Sequence, residues 1–172
     1  MITIISGTHR PKSNSLRTAK AYSQLLDKME IENQIFDLEK LPKQFMWDDM
    51  FGNSTEEGQS MIKKYIESAD RLLIIVPEYN GSYPGVMKLL LDSIDPAKML
   101  GKKAALTGIA SGIFGNQRGL DDLTMVLHHL KVDVVAWKVL IPAIYASFND
   151  DDTFKDIKLL DRVKQQLNSL MS

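Results

Sequence analysis

The sequence predicts a doubly wound α/β fold, a three-layer sandwich with a five-stranded parallel sheet of order 2-1-3-4-5. Apolar, β-branched runs alternate with segments of helical periodicity from one end of the chain to the other. Strands separated by helices favour parallel pairing and helices on both faces of the sheet. The run Leu72-Leu73-Ile74-Ile75-Val76 is apolar throughout, as expected of a strand that is buried on both faces.

The strands are predicted from short apolar or alternating runs. The first run is apolar at the very start of the chain, which suits a central strand, whereas the second alternates more loosely and suits a sheet edge. The predicted strands cover residues 2–6, 33–38, 71–76, 103–111 and 132–139.

The helices are predicted from apolar residues that recur every three or four positions, such as Leu16, Ala19 and Tyr22. Thr55 is a candidate cap for the second helix. The acidic triplet Asp150-Asp151-Asp152 is expected to precede the last helix and to favour its start. The predicted helices cover residues 15–29, 55–68, 85–94, 120–130 and 154–170, and residues 41–53 are expected to be irregular.

Length and charge restrict the class of protein. The 172 residues predict a single domain over 1–172, without repeats or linkers. A net charge of −1 argues against a nucleic-acid-binding module and against a strongly acidic carrier. The sequence has no cysteine, which excludes disulfides, thiolate catalysis and cysteine-ligated metal sites. No apolar run approaches membrane-spanning length and no signal peptide is visible, so we expect no membrane partner and a cytoplasmic location.

The segment after the third predicted strand carries the most informative chemistry. It reads Pro-Glu-Tyr-Asn-Gly-Ser-Tyr-Pro-Gly over residues 77–85. Pro77 has no N–H and ends the strand ladder, while Gly81 permits a positive φ and a close approach of backbone to ligand. Tyr79 offers an apolar ring face with a polar tip. Because open α/β sheets bind ligands at the carboxyl ends of their strands, this segment predicts a platform for a flat ligand with hydrogen-bonding edges.

The loop after the first strand, residues 6–15, is typical of an anion site. It concentrates hydroxyl side chains, an amide and Arg10 directly before a helix. The free N–H groups and the dipole at a helix N-terminus favour negative charge, and an arginine can bind two phosphate oxygens. The loop is neither a Walker A loop nor a three-glycine dinucleotide fingerprint. Taken alone, it is equally well explained as a helix start capped by Ser13 or Asn14.

The loop over residues 111–119 follows the fourth predicted strand and contains Gly112, Gly115 and Gly119. Glycines allow main chain to pass close to a ligand and leave its N–H groups accessible. The alternative is a plain flexible connection. In the predicted strand order this loop lies at the same sheet edge as the other two, which favours a ligand site.

Two of these loops carry a resemblance to a known family. Residues 77–88, Pro-Glu-Tyr-Asn-Gly-Ser-Tyr-Pro-Gly-Val-Met-Lys, closely resemble the most diagnostic segment of the NADPH-dependent FMN reductases. The first loop resembles their Gly-Ser/Thr-x-Arg-x-x-Ser phosphate loop. The resemblance covers nearly the whole chain in element order and implies a flavodoxin-like fold, an FMN cofactor and NADPH or NADH as electron donor. The family includes flavin, quinone, azo-dye and chromate reductases.

The resemblance also implies which residues surround the cofactor. It places six residues around the FMN phosphate: Ser6, Thr8, Arg10, Ser13, Asn14 and Ser15. It places five beside the isoalloxazine, namely Pro77, Glu78, Tyr79, Asn80 and Gly81, and three near its far edge, namely Ser111, Gly112 and Gly115. The triplet Asn116-Gln117-Arg118 stands where many relatives have further glycines. No residue is predicted to be catalytic in its own right, and no metal site is predicted.

The predicted function is an FMN-dependent oxidoreductase that takes hydride from NAD(P)H onto flavin N5. It would then pass electrons to a small-molecule acceptor such as a quinone, flavin, azo compound or metal oxyanion. The first alternative is a flavodoxin-type electron carrier that holds FMN without oxidising a nicotinamide. The second is a regulatory or anion-binding domain of the same topology without flavin. The near-neutral charge and the open platform at residues 79–82 favour the enzyme.

The outer helices predict self-association. The helices over 85–94 and 120–130 have apolar residues on more than one face, including Val86, Leu90, Leu123 and Met125. A self-complementary apolar patch is what C2 dimers bury. We therefore expect a homodimer or homotetramer, as the resemblance also implies, with Leu90 in the interface.

Overall fold

The computed structural model describes residues 1–45 and 55–172, so most of the predicted irregular segment lies outside the described residues. Strands and helices alternate along the chain as predicted. The strands are β1 (Ile2–Ser6), β2 (Asn33–Asp37), β3 (Arg71–Pro77), β4 (Lys103–Ile109), β5 (Asp133–Val134) and β6 (Val139–Ile141). The helices are α1 (Asn14–Lys28), α2 (Glu56–Ile62, continued by a π-helical turn over Lys63–Glu67), α3 (Gly85–Ser93), α4 (Gln117–His129) and α5 (Ile157–Met171). Short 3₁₀ turns cover Leu38–Lys40, Pro96–Lys98 and Ile144–Ala146.

The strands form one parallel sheet in the order β2-β1-β3-β4-β5, and β6 also pairs with β4. In the central register Ile4 lies between Ile35 of β2 and Leu73 of β3. The sheet order and the helices on both sides confirm the predicted doubly wound, flavodoxin-like fold. All the parallel strands end at one edge, so the loops that follow β1, β3, β4 and β6 meet there.

Alternate side chains of the central strands enter two separate cores. On β3, Leu72 and Ile74 pack against α2, α3 and α4, while Leu73 and Ile75 face α1 and α5 on the other side of the sheet. This two-sided burial follows from the period of two in a strand and explains why the β3 sequence is apolar at every position.

Capping side chains set the helix starts. Thr55 caps α2 as predicted, because its Oγ1 accepts from the N–H of Gly58 at 3.0 Å. Helix α5 begins at residue 157, three residues later than predicted, because Asp156 accepts from the N–H of Lys158 at 2.9 Å. The predicted role of the acidic triplet at the last helix was therefore wrong. Asp152 instead lies 2.5 Å from Nε of Arg17 on α1.

The last predicted strand, 132–139, is interrupted. Its two ends pair with β4 as β5 and β6, whereas residues 135–138 leave the ladder. The carbonyl of Trp137 in this bulge accepts from the side-chain N–H₂ of Gln166 on α5 at 2.9 Å. The expectation of a single fifth strand was wrong because a side chain of the last helix satisfies backbone that leaves the sheet. Strand β4 also ends at Ile109, so that Ser111 belongs to the loop.

The prediction that Leu90 lies in a subunit interface was also wrong. Leu90 is fully buried in the core on its own sheet, as are Leu123 and Leu127 of α4. Val86 is only partly buried, and Met125 of α4 is 67% exposed. The apolar positions of these two helices therefore mostly serve the core of the chain, and the apolar surface that remains exposed centres on Met125.

Candidate functional site

A cleft of about 270 Å³ opens at the carboxyl edge of the sheet, between the loops that the sequence predicted to converge there. It is lined by Thr8, Arg10, Pro11, Lys12, Ser13, Asn14, Ser15, Pro77, Glu78, Tyr79, Ile109, Ala110, Ser111, Ile144 and Tyr145. Nine of the fourteen predicted site residues belong to this lining, from all three predicted loops. We call it the main cleft.

The first loop leaves β1 through a close backbone contact. The N–H of Gly7 donates to the carbonyl of Ile75 on β3 at 2.8 Å. A Cβ at position 7 would lie 2.6 Å from Cγ1 of Val76, so only glycine fits here. This contact starts the loop from a fixed point beside β3, and the hydroxyl of Thr8, 1% exposed, comes next in the chain.

The start of α1 supplies the anion-binding geometry. Ser13 is the N-cap, and its Oγ accepts from the N–H of Leu16 at 3.1 Å. The first N–H groups of a helix, here those of Asn14 and Ser15, have no intrahelical acceptor. The cap and the anion site are thus compatible, because capping uses one lone pair of Ser13 while its hydroxyl hydrogen and the neighbouring amides remain available.

A buried hydroxyl in this loop fits a phosphate. Among the described residues, Oγ of Ser15 has no hydrogen-bond partner although it is buried, and Ser15 lines the main cleft. An unsatisfied buried polar group costs about 1–3 kcal/mol, which a bound anion would recover. Oγ of Ser6 is also unpartnered there, but Ser6 lies beneath the loop and is not part of the cleft lining.

Two exposed cations border the same end of the cleft. Arg10 and Lys12 line it, and neither side chain has a described ion pair or hydrogen bond within residues 1–45 and 55–172. Lys12 has a φ of 50°, in the left-handed region, as the loop turns towards α1. Hydroxyls, amides and two positive charges together fit a phosphate monoester, the anionic group of FMN.

The second loop folds into a tight hairpin turn. Tyr79 and Ser82 exchange both backbone hydrogen bonds, at 2.9 and 3.1 Å. The two residues between them have positive φ, 51° at Asn80 and 80° at Gly81, which is the pattern of a type I′ turn and explains the Asn-Gly pair. The hydroxyl of Ser82 donates to the carboxylate of Asp122 on α4 at 2.6 Å, so the turn is held against that helix.

Tyr79 connects the second loop to the first. Its hydroxyl lies 2.9 Å from Oγ1 of Thr8, and Thr8 Oγ1 also accepts from the N–H of Arg10 at 3.3 Å. Asn80 and Gly81 themselves are not part of the main cleft lining. Close to the turn, burial raises the pKa of the Tyr83 phenol.

The third loop contributes more to packing, and less to the lining of the cleft, than the resemblance implied. Ser111 lines the cleft, whereas Gly112 and Gly115 do not. Gly115 has a φ of 59°, and a Cβ there would lie 2.9 Å from Cβ of Leu140, so this glycine permits the loop to pack on β6. Asn116 is 1% exposed and donates to the carbonyl of Val76 at 3.2 Å. Asn116, which stands where many relatives have a glycine, thus fixes the loop against the end of β3.

The sequence analysis did not predict that residues after β6 line the main cleft. Ile144 and Tyr145 line the main cleft, and they are brought there by backbone bonds from Ala143 N–H to Gly112 O and from Ile144 N–H to Ala110 O, both at 3.0 Å. One feature of the sequence could have indicated this role: residues 142–145 follow a strand that ends at the same edge of the sheet.

Within residues 1–45 and 55–172, no group of three or more His, Asp or Glu side chains is arranged to hold a metal ion. None of the helices in the same ranges combines the length and apolar character required to cross a membrane.

Comparisons of the sequence point to one family, and a comparison of the structure shows a shared fold. The sequence profile of the NADPH-dependent FMN reductases matches residues 1–145. An NAD(P)H-dependent FMN reductase of Pseudomonas aeruginosa is 30% identical, covering 96% of this chain and 90% of its own length. An NADPH azoreductase of a Bacillus species is 23% identical over 99% and 92% of the two chains. The NAD(P)H:acceptor oxidoreductase FerB of Paracoccus denitrificans superposes with a TM-score of 0.82 at 24% identity, over 99% and 96% of the chains.

Proposed function

The chain belongs to the NADPH-dependent FMN reductase family, and we propose that it passes electrons from NAD(P)H, through FMN, to a quinone, flavin, azo compound or metal oxyanion. The observation that carries this proposal is the main cleft. It combines an anion-binding helix start, with the unpartnered hydroxyl of Ser15, and the Tyr79 platform, which is joined to it through Thr8.

The FMN phosphate is assigned to the start of α1. The amides of Asn14 and Ser15, the hydroxyls of Thr8, Ser13 and Ser15 and the guanidinium of Arg10 supply donors for its oxygens. Ser6 supports the loop from below. Pro77, Glu78 and Tyr79 are assigned to the isoalloxazine, with the Asn80-Gly81 turn and Ser111 at its borders. Gly112 and Gly115 shape the third loop behind Ser111.

The protein's part in the chemistry is to bind and orient. When bound, FMN supplies the ability to accept a hydride and to release electrons to a second substrate. The side chains of the main cleft would hold the phosphate at the start of α1 and border the ring beside Tyr79. No side chain is required as a covalent nucleophile, and we assign none a catalytic role.

Two measurements test this function. Purified protein is expected to be yellow, and heat should release FMN, identified by chromatography; recovery of FAD alone would contradict the assignment of a single phosphate site. The parent protein should then oxidise NADPH or NADH in the steady state with a quinone as acceptor. Bound FMN without nicotinamide oxidation would favour the flavodoxin-type carrier, and a colourless protein that binds no FMN would favour the regulatory domain.

We further propose a homodimer, or a tetramer built from it, through the outer faces of α3 and α4. These helices lie on one side of the sheet, and the bond from Ser82 to Asp122 holds the turn that precedes α3 against α4. Met125 is 67% exposed there, and Val86 and Leu89 are partly buried beside the core. Met125→Asp should lower the mass measured by light scattering at micromolar protein. Ile157→Asp, an equally exposed apolar residue on the opposite layer, is the control. A fully active monomeric parent would rule the proposal out.

The cytoplasm is the proposed location, since the nicotinamide donors of this family are intracellular metabolites. Fractionation of cells that express the protein at its natural level tests this point. Recovery in the membrane or exported fraction would contradict it.

A further inference from the structure

A second cleft adjoins the main cleft at the same sheet edge. It is lined by Glu78, Phe114, Gln117, Arg118 and Asp121 and encloses about 300 Å³. Glu78 lines both clefts, so they are neighbours across this residue. The volume lies at the lower end of the range of small-molecule sites, about 300–1,000 Å³. We call it the side cleft.

The side cleft carries a free positive charge. Arg118 is exposed and has no ion pair or hydrogen bond within the described part of the chain. Asp121 is already paired with Lys138, with 2.7 Å between carboxylate and ammonium. The remaining carboxylate, that of Glu78, lies at the border with the main cleft. Arg118 is therefore the cation of the side cleft that remains available to an anion.

The start of α4 adds to this positive potential. The N-cap residue Asn116 makes no side-chain capping bond, because its amide N–H₂ donates to the carbonyl of Val76 on β3 instead. The amides of the first turn are thus left without a side-chain acceptor from the cap. The helix dipole places its positive end at Arg118, where it reinforces the charge of the guanidinium.

The side cleft also contains an exposed aromatic ring. Phe114 is 64% exposed and the preceding Ile113 is 79% exposed. Phe114 and the unpaired Arg118 line the same cleft and together offer a stacking face and a phosphate-binding fork. This pair of groups matches a purine that carries a phosphate.

We propose that the side cleft binds the adenosine 2′-phosphate end of NADPH, with Arg118 on the 2′-phosphate and Phe114 against the adenine. The inference rests on the proposed function, because the nicotinamide would then reach the main cleft across Glu78. Nη1 of Arg118 lies 3.8 Å from where a Cβ on Gly81 would stand, so the guanidinium lies beside the turn that follows Tyr79. An arginine placed on a 2′-phosphate is the usual basis for choosing NADPH over NADH.

Equilibrium binding tests the assignment without turnover. FMN-loaded protein is titrated by calorimetry with adenosine 2′,5′-bisphosphate and with 5′-AMP. Loss of one charge-assisted contact should raise the Kd of the bisphosphate roughly tenfold to hundredfold in Arg118→Ala while leaving that of 5′-AMP nearly unchanged. Arg162→Ala, which removes the same exposed charge from α5 on the opposite layer, is the matched control and should change neither Kd.

Steady-state rates provide the second readout. In Arg118→Ala, kcat/KM should fall for NADPH and not for NADH, whereas Phe114→Ala should lower both, and Arg118→Lys should recover part of the NADPH rate. If Arg118→Ala changes neither the bisphosphate Kd nor the NADPH/NADH ratio, the inference is overturned. Equal losses for NADPH and NADH would also overturn it, because they assign Arg118 to a group that both donors share. A parent protein that holds FMN but oxidises neither donor would instead overturn the proposed function.

Discussion

The hydroxyl oxygens of Thr8 and Tyr79 lie 2.9 Å apart, which joins the loop after β1 to the turn after β3. Thr8 is 1% exposed, and its Oγ1 also accepts from the N–H of Arg10, so the first loop holds the Thr8 hydroxyl in place. The phosphate end and the ring end of the proposed cofactor site are therefore held together by the protein itself. Such preorganisation reduces the ordering cost of binding.

Substitution of either Thr8 or Tyr79 should weaken FMN binding, because either change removes this contact. Tyr79→Phe deletes one neutral hydrogen bond, which at about 0.5–1.5 kcal/mol corresponds to roughly a twofold to tenfold rise in Kd. Thr8→Val deletes that bond together with the one from the N–H of Arg10, so it should cost more. The double variant should lose little more than Thr8→Val alone, because Tyr79→Phe removes a bond that Thr8→Val has already removed. Titration of apoprotein followed by flavin fluorescence gives the four Kd values. Fully additive losses would show that the two hydroxyls act on FMN separately.

Arg10→Ala should weaken FMN binding without unfolding the chain. Arg10 is exposed and lines the main cleft, so its loss removes a charge-assisted contact and no core packing. The expected cost of about 1.5–3 kcal/mol corresponds to a tenfold to hundredfold rise in Kd. Lys20→Ala, an exposed cation further along α1, is the control. Parental affinity in Arg10→Ala would mean that the phosphate lies elsewhere.

Gly81→Val should abolish the flavin platform through backbone strain. A Cβ at this position meets only Nη1 of Arg118, at 3.8 Å, so space is available, but the φ of 80° is unfavourable for a β-branched residue. Gly81→Asn should be tolerated, because asparagine adopts left-handed conformations at small cost. We expect Gly81→Val to purify without FMN but with parental helix content by circular dichroism. If Gly81→Val retains FMN and turns over normally, the conformation of the turn is not needed for the site.

The alternation of apolar runs predicted the parallel sheet, because each central strand is buried on two faces and has a distinctive composition. The strand order 2-1-3-4-5 was predicted as a common arrangement of doubly wound sheets, and it is the order observed. The interruption of the last strand was not predictable in this way. It depends on Gln166, which lies 29 residues further along the chain than Trp137, the residue whose carbonyl it binds. Leu90 was misplaced for a related reason: periodicity identifies apolar positions but not how wide a face the sheet covers.

Local motifs predicted the first two loops of the site because their chemistry is encoded in adjacent residues. Ser13 caps α1 beside the cleft, and the Asn80-Gly81 pair forms the turn. Tyr145 was missed because it is carried to the cleft by long-range backbone bonds from its neighbours. Gly115 was interpreted as a ligand contact because a glycine needed for packing on Leu140 is indistinguishable in sequence from one needed for a ligand.

The buried amide of Gln166 links three elements on one side of the sheet. Its Oε1 accepts from the hydroxyls of Tyr22 on α1 and Thr107 on β4, at 2.8 and 3.0 Å. Its N–H₂ donates to the carbonyls of Leu106 and Trp137, at 2.8 and 2.9 Å. Burial raises the pKa of the Tyr22 phenol, and the nearby Thr107 hydroxyl and Arg162 lower it by less.

Gln166→Met should therefore destabilise the fold without affecting FMN recognition directly. The substitution keeps the length and volume of the side chain but leaves the carbonyls of Leu106 and Trp137 without this donor. Unsatisfied buried groups cost about 1–3 kcal/mol each, so the loss of a donor to two carbonyls should lower the free energy of unfolding by about 2–6 kcal/mol in urea denaturation of the apoprotein. Gln165→Met makes the same change at the exposed neighbouring position and should be nearly neutral. Equal stability of the two variants would show that the bulge after β5 does not need Gln166, and that its backbone finds other partners.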